Sequence, residues 1–320
     1  MKLDFSNINI LVVGDFMLDS FVMGSSNRIS PEAPVPVVLE REKNTVLGGA
    51  GNVVNNLYSL GCLSGKGNIF PCGVLGNDNA GKIILKMLSE VSSISGMIVD
   101  PSHISTKKER IFIDEEQVLR LDKEIKIDKN KYTEAIDKYC TSVIENIDII
   151  IISDYNKGIV TDSMVKLLID RARVNNIKVI IDPKKLDFSN YKNAHIITPN
   201  LSELERAASI KIKDDSQLES VCKALIKEHN FEFILATKSE KGMSLIGNDS
   251  VFHIDPIFVE NPDVSGAGDT VVATLASCLA LGMDVNEAAK IANMSASIVV
   301  AKSGTATIFL NELNLAISQN

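Results

Sequence analysis

Five short apolar runs constrain this chain more than anything else in it. Residues 8–13, 147–152, 178–181, 194–197 and 231–236 are each four to six residues long and rich in Ile or Val. They are continuous rather than alternating, so both faces of each strand must be buried, as in a parallel sheet covered by helices. Several end in Gly or Asp and lead into a helical pattern. Residues 162–174 read as a helix with Met164, Leu167, Leu168 and Ala172 on one face, and 177–181 as the strand after it. Repeated strand–helix order predicts an α/β fold.

Two stretches break that rhythm. Residues 20–47 hold Pro31, Pro34 and Pro36, which cannot donate to a sheet ladder and so predict extended edge structure. Residues 104–127 alternate strand formers with charges. Both read as strands solvated on one face, a small sheet projecting from the main body. No repeat, low-complexity segment or linker divides the chain, so one domain is expected over 1–320. Near the end, 284–304 reads as a helix with Asp284 as cap, Glu287 closing a capping box and Gly304 in the left-handed C-terminal position. Gly282 ends the helix before it.

Composition removes several function classes. The net charge of −8 argues against a general nucleic-acid binder, and the absence of Trp argues against a base-stacking platform. It leaves room for a local basic pocket. The five Cys and four His are scattered, which predicts buried free thiols and no zinc site. No run reaches the ~18 apolar residues of a membrane span, and the amino terminus lacks a signal-peptide core. A cytoplasmic protein with no membrane partner is expected.

The densest motif is Gly266-Ala267-Gly268-Asp269, ahead of a long apolar run. Small residues let backbone approach a ligand, and a helix amino end offers free N–H groups and positive potential. A carboxylate there can take a proton from an attacking hydroxyl. The same tetrapeptide also reads as a tight turn with Asp269 as helix cap. Asn200 and Glu203 are spaced to share a helix face and could hold waters on Mg²⁺, with Glu203 acting through water. They also read as a solvated helix start after Pro199. Residues 236–242 carry small and polar groups suited to a nucleotide, or form only a loop. Asp15 and Asp19 follow the first strand, and Gly48 and Gly49 precede a helix bearing Asn52. Those types recognise sugar hydroxyls, and they also build turns. A P-loop is not formed at Gly61–Gly67, where the spacing is one short and Gly67 replaces the Ser or Thr.

In this order the motifs resemble the ribokinase-like (phosphofructokinase B type) sugar kinases over nearly the whole chain. The segments NRISPEAPVPVV, SDYNKG, GGAGNVVNNLYSLG and SGAGDT are similar to one branch, the D-glycero-D-manno-heptose 7-phosphate kinases. The resemblance implies a three-layer α/β/α sandwich with a small β-sheet lid from 20–47 and 104–127, and a homodimer through that lid. It implies ATP and Mg²⁺, with a monovalent cation, and phosphorylation of the anomeric hydroxyl of heptose 7-phosphate for lipopolysaccharide synthesis.

It also assigns roles. Asp269 matches the base and Gly266, Ala267 and Gly268 the anion hole. Asn200 and Glu203 match the Mg-ATP motif, and Thr237, Ser239, Gly242 and Asn293 the nucleotide contacts. Asp19, Gly48, Gly49 and Asn52 match sugar contacts, and Asp154 lies in SDYNKG. Lys108, Arg110 and Lys157 are candidates for the second phosphate, or ordinary surface charge. Gly51 stands where the branch has Ala. No His-x-Gly-His motif of an adenylyltransferase is present, so a single-function kinase and a domain of a longer chain both remain open. A kinase for another sugar is the alternative; a non-catalytic sugar-sensing module is disfavoured by the intact motifs.

Overall fold

The computed structural model describes residues 2–125, 131–302 and 304–319. The chain runs β1 (Asn9–Gly14), β2 (Phe16–Ser25), β3 (Leu39–Gly49), α1 (Ala50–Ser59), β4 (Asn68–Gly76), α2 (Asn79–Val91), β5 (Gly96–Asp100), β6 (Thr106–Ile113), β7 (Glu116–Lys123) and α3 (Thr133–Val143). There follow β8 (Ile149–Ser153), α4 (Asp162–Val174), β9 (Lys178–Asp182), β10 (Ile196–Ile197), α5 (Leu201–Ala208), α6 (Asp215–His229) and β11 (Phe233–Thr237). Last come β12 (Met243–Gly247), β13 (Val251–Ile254), α7 (Ala267–Ala280), α8 (Val285–Val300) and α9 (Leu310–Gln319).

The main sheet has the order β13-β12-β11-β10-β9-β8-β1-β4-β5. Pairing is parallel from β5 to β11 and antiparallel from β11 to β13. All five apolar runs are strands of this sheet. Their residues alternate between two cores. Ile10, Val12, Ile149 and Ile151 join one with α1, α2, α7, α8 and α9. Leu11, Val13, Ile150 and Ile152 join the other with α3, α4, α5 and α6. Burial on both faces explains the unbroken Ile and Val, and the expected α/β/α layering is present.

Some strands carried weaker signals. β4 contains Pro71, a residue that argues against an inner strand. Pro71 pairs with Val12, but pairing to β5 begins only at Cys72, so Pro71 sits where β4 has a partner on one side alone. The β12–β13 hairpin was not anticipated.

The two irregular stretches form the second sheet, ordered β3-β2-β6-β7. Residues 126–127 of the expected 104–127 segment lie outside the described residues. The expectation of one solvated face fails for β7, whose eight residues are all exposed, so both of its faces meet solvent. Two helix details also differ. On α4 the buried face is Met164, Val165, Leu168, Ile169 and Ala172, with Leu167 only half-buried. Helix α8 ends at Val300, because Gly304, though left-handed at φ 76°, lies in the next turn and donates its N–H to Asp263 at 2.7 Å. Asp284 caps α8 by accepting the Asn286 and Glu287 N–H groups, while the Glu287 carboxylate pairs with Lys290 instead of closing a box. The five Cys are free and buried, as expected. Among the described residues no helix is long and apolar enough to cross a membrane.

Helix α7 is the centre of the first core, with Asp269 to Leu279 all buried. Asn56 of α1 ties it to its surroundings. Its fully buried amide donates to the Asn52 carbonyl at 2.9 Å, and its oxygen accepts from Thr270 Oγ1 at 2.9 Å and Ile308 N–H at 3.3 Å. Asn56→Leu keeps the volume and strands those partners. It should lower stability by about 2–4 kcal/mol in chemical denaturation, the scale of a buried network left unsatisfied. A loss below about 0.5 kcal/mol, well inside one net hydrogen bond, contradicts this role for Asn56.

Candidate active site

The site begins where β1 and β8 come together. A Cβ on Gly14 would lie 2.2 Å from the Ser153 carbonyl oxygen, so only glycine permits this approach. The next residue, Asp15, is buried and accepts the N–H groups of Tyr155 (2.9 Å), Lys157 (3.1 Å) and Ile159 (3.3 Å). Burial first, and the Asp154 charge second, push its carboxyl up to about 7 despite these bonds. Asp15 therefore braces the loop after β8 rather than standing with Asp19 as a sugar-facing acid.

Asp269 is the third residue of α7 and only 4% exposed. It does not cap the helix. Its Oδ2 accepts from Asn52 Nδ2 at 2.8 Å and its Oδ1 from the Tyr155 hydroxyl at 2.9 Å. Gly266, at φ 78°, turns the chain into α7, and a Cβ there would sit 2.7 Å from Asn52 Nδ2. Ala267 begins the helix, and its N–H donates to the Val264 carbonyl at 3.3 Å. A Cβ on Gly268 would meet nothing within 4 Å, so its side is open. Burial is the main force pushing Asp269 up to about 7, followed by the Asp182 charge; the Asn52 and Tyr155 bonds and Lys184 oppose it. A carboxylate so placed, beside a helix amino end, can accept a proton near neutral pH while the first helical turn attracts an anion.

On one side lie the nucleotide candidates. Asn200 caps α5 and shares a full capping box with Glu203, each side chain accepting the other's backbone N–H, at 2.9 and 2.8 Å. The spacing thus has a local folding role, and Asn200 sits outside the helical face that i,i+3 spacing suggested. Asn200 also bridges to Thr237 at the end of β11. Ser239 and Gly242 bound a tight turn, and a Cβ on Gly242 would lie 2.1 Å from the Ile254 carbonyl oxygen. Asn293 donates to the Asp255 carbonyl at 3.0 Å, so Gly242 and Asn293 meet at the end of β13.

The acids Asp182 and Glu203 are both buried and share one cation, with Lys184 Nζ 3.2 Å from Asp182 and 2.9 Å from Glu203. Two carboxylates, hard oxygen donors, against one ammonium suit Mg²⁺ held through water. Among the described residues no group of three His, Cys, Asp or Glu is arranged to bind a metal directly.

On the other side lie the sugar candidates. A Cβ on Gly48 would sit 2.2 Å from Asp19 Oδ2, and one on Gly49 would sit 2.5 Å from the Asp15 carbonyl oxygen. Asp19 pairs with Arg110 at 2.8 Å, and Lys157 with Glu124 at 2.5 Å. Lys108 lies over the Tyr155 ring, and burial pushes its ammonium down. Asn52 is spent on Asp269 and Asn56 rather than exposed. Asp154 is fully buried, accepting from the Tyr191 hydroxyl at 2.8 Å and Asn156 N–H at 2.7 Å, so it stands behind the site.

Sequence reasoning assigned no role to Tyr155, Asp182 or Lys184. The available signal was position, since each lies at or just past the carboxyl end of a parallel strand, where α/β sheets bind ligands.

The raised Asp269 has a stability consequence. Folded Asp269 keeps its proton up to about 7, whereas its ordinary value is 3.8. Its favourable contribution is therefore complete below the unfolded value and is lost as pH rises through about 7. Wild type should lose stability relative to Asp269→Asn across that window in parallel denaturation series. A difference constant with pH contradicts the raised value.

The pfkB family carbohydrate kinase model matches residues 7–312. The chain is 40% identical over 315 residues to Bifunctional protein HldE of Mesorhizobium japonicum, covering 98% of this chain and 62% of that protein. It is 41% identical over 308 residues to Bifunctional protein HldE of Campylobacter curvus, covering 96% and 64%. The chain thus spans under two thirds of these relatives. Its fold matches Arabidopsis thaliana ribokinase complexed with ribose and ATP at TM-score 0.74, 17% identity, covering 97% of this chain and 98% of that one. It also matches Escherichia coli phosphofructokinase-2 in complex with potassium at TM-score 0.77, 16% identity, covering 98% and 99%. The fold is ribokinase-like, and the chain belongs to the pfkB family of carbohydrate kinases.

Proposed function

We propose that this sugar kinase transfers the γ-phosphoryl group of ATP to the anomeric hydroxyl of D-glycero-D-manno-heptose 7-phosphate. The product is heptose 1,7-bisphosphate, for ADP-heptose and lipopolysaccharide core synthesis in the cytoplasm. The observation that carries the reaction is the buried Asp269 carboxylate, raised to about 7 in the first turn of α7. The heptose is supported by the NRISPEAPVPVV and SDYNKG segments and by about 40% identity to Bifunctional protein HldE.

In this reading the sugar oxygen attacks the γ-phosphorus while its proton passes to Asp269. The new O–P bond forms as the bond to the bridging oxygen breaks, and ADP departs with that electron pair. Asp269 then releases its proton to water. Backbone N–H groups of Gly266 and Gly268 stabilise the charge building on the transferred group, the Ala267 N–H being engaged with Val264. Thr237, Ser239, Gly242 and Asn293 hold the nucleotide. Mg²⁺ would supply neutralisation of the phosphate charge. Asn200 and Glu203 would hold it through its water shell. A monovalent cation is included, since phosphofructokinase-2 was found with potassium; no residue is assigned to it.

Asp19, Gly48 and Gly49 serve the sugar, with Asn52 acting through its bond to Asp269, and Lys108, Arg110 and Lys157 its 7-phosphate, with Asp154 supporting their loop. Residues 1–320 act as one kinase domain whose second sheet, β3-β2-β6-β7, closes as a lid. The exposed Leu39, Val118, Leu119 and Leu121 on that sheet favour a homodimer through it. One observation favours a sugar without a second phosphate: Arg110 and Lys157 are already paired with Asp19 and Glu124.

Asp269→Asn should bind ATP and sugar as wild type does in calorimetry while turnover falls by ~10²–10⁴, the usual span of general-base help. Near-wild-type turnover removes Asp269 as base. Across a panel of sugars with and without a terminal phosphate, kcat/KM should favour the 7-phosphate by at least about tenfold, the worth of one charge-assisted contact. Indifference to that phosphate removes the heptose phosphate reading.

A further inference from the structure

Tyr155 is placed as no ordinary loop aromatic is. Its backbone N–H is pinned by Asp15, and its hydroxyl donates to Asp269 at 2.9 Å. Two cations from different parts of the fold lie close to its ring. Lys108 Nζ, on β6 of the second sheet, is 5.3 Å from the ring centroid, and Lys184 Nζ, after β9 of the main sheet, is 5.6 Å away. Both distances fall within cation–π range.

We propose that Tyr155 is a positioning residue: its hydroxyl orients the Asp269 carboxylate, and Lys108 on the second sheet grips the ring that carries that hydroxyl. The inference rests on Asp269 being the base. With Asn52 on one oxygen and Tyr155 on the other, the carboxylate plane is fixed, and each oxygen keeps acceptor capacity for the sugar proton. Tyr155 does not compete for that proton. Burial first, then the charges of Asp269, Asp182 and Asp19, hold its phenol well above the usual tyrosine range, so it stays a donor. The groups bearing on Asp269 itself are Asn52, Tyr155, Asp182 and Lys184. Of these, the Tyr155 hydroxyl is the one whose ring also touches the second sheet. Docking of that sheet on the main body is thereby coupled to alignment of the base.

The test is the pH dependence of kcat at saturating ATP and sugar, which a merely structural role would not move. Losing the hydroxyl removes a hydrogen bond that favours charged Asp269, so the acid limb should move to higher pH. In Tyr155→Phe the shift should be about one pH unit, the size of one charge-assisted bond to a buried carboxylate. At the plateau, kcat should fall at least about tenfold through misalignment, with KM for ATP little changed. Lys108→Met should shift the limb the same way by less, and should add no further shift in the Tyr155→Phe background. Lys108 sits on the second sheet outside the main core, so that variant carries the test alone if Tyr155→Phe fails to fold. An acid limb unmoved in the folded variants overturns the proposal. Turnover retained by Asp269→Asn overturns instead the base assignment on which it rests, so the two failures are distinguishable.

Discussion

Everything at this site depends on keeping one carboxylate buried. Asp269 costs free energy to ionise where it lies, and two neutral donors, Asn52 and Tyr155, make the charged form attainable near neutral pH. A surface aspartate would be ionised but too weak a base; an unpartnered buried one would stay protonated. The helix that carries it is buried from Asp269 to Leu279, which anchors the position of the amino end.

The rest of the fold reads as supports for that arrangement. Asp15 after β1, the 154–159 loop after β8, Asp182 at the end of β9 with Lys184 after it, Asn200 after β10 and Thr237 on β11 all lie at the carboxyl edge of the parallel strands. Parallel pairing with short βα loops brings those edges together from distant points of the chain, and that is where α/β sheets place ligands. Asn56 extends the support backward, linking α1, α7 and the 308 backbone behind Asn52. The second sheet adds the cations, with β2 as its inner strand leaving the main sheet directly after Asp15.

The parts legible in the sequence were those with local causes. Unbroken Ile and Val runs report burial on both faces, and Gly266-Ala267-Gly268-Asp269 reports a helix amino end with an acid. Parts with non-local causes were hidden. The Tyr155–Asp269 bond spans 114 positions, and no spacing rule reaches that far. Asp15 looked like a ligand-facing acid because nothing nearby showed that its oxygens would be used by backbone N–H groups 140 and more positions away. Gly304 misled about the end of α8 because its left-handed turn serves a bond to Asp263 rather than a helix cap. The Asn200–Glu203 spacing was visible, but its capping-box geometry depends on each side chain turning back to the other's backbone N–H, which spacing alone does not show.

The central claim is that this arrangement phosphorylates an anomeric hydroxyl. Proton and phosphorus NMR of a mixture of the protein, Mg-ATP and D-glycero-D-manno-heptose 7-phosphate tests it most directly. A new phosphate resonance coupled to the anomeric proton, growing in step with ADP, is the predicted result. ADP formed without that coupling, or phosphate attached at any other carbon, would contradict it.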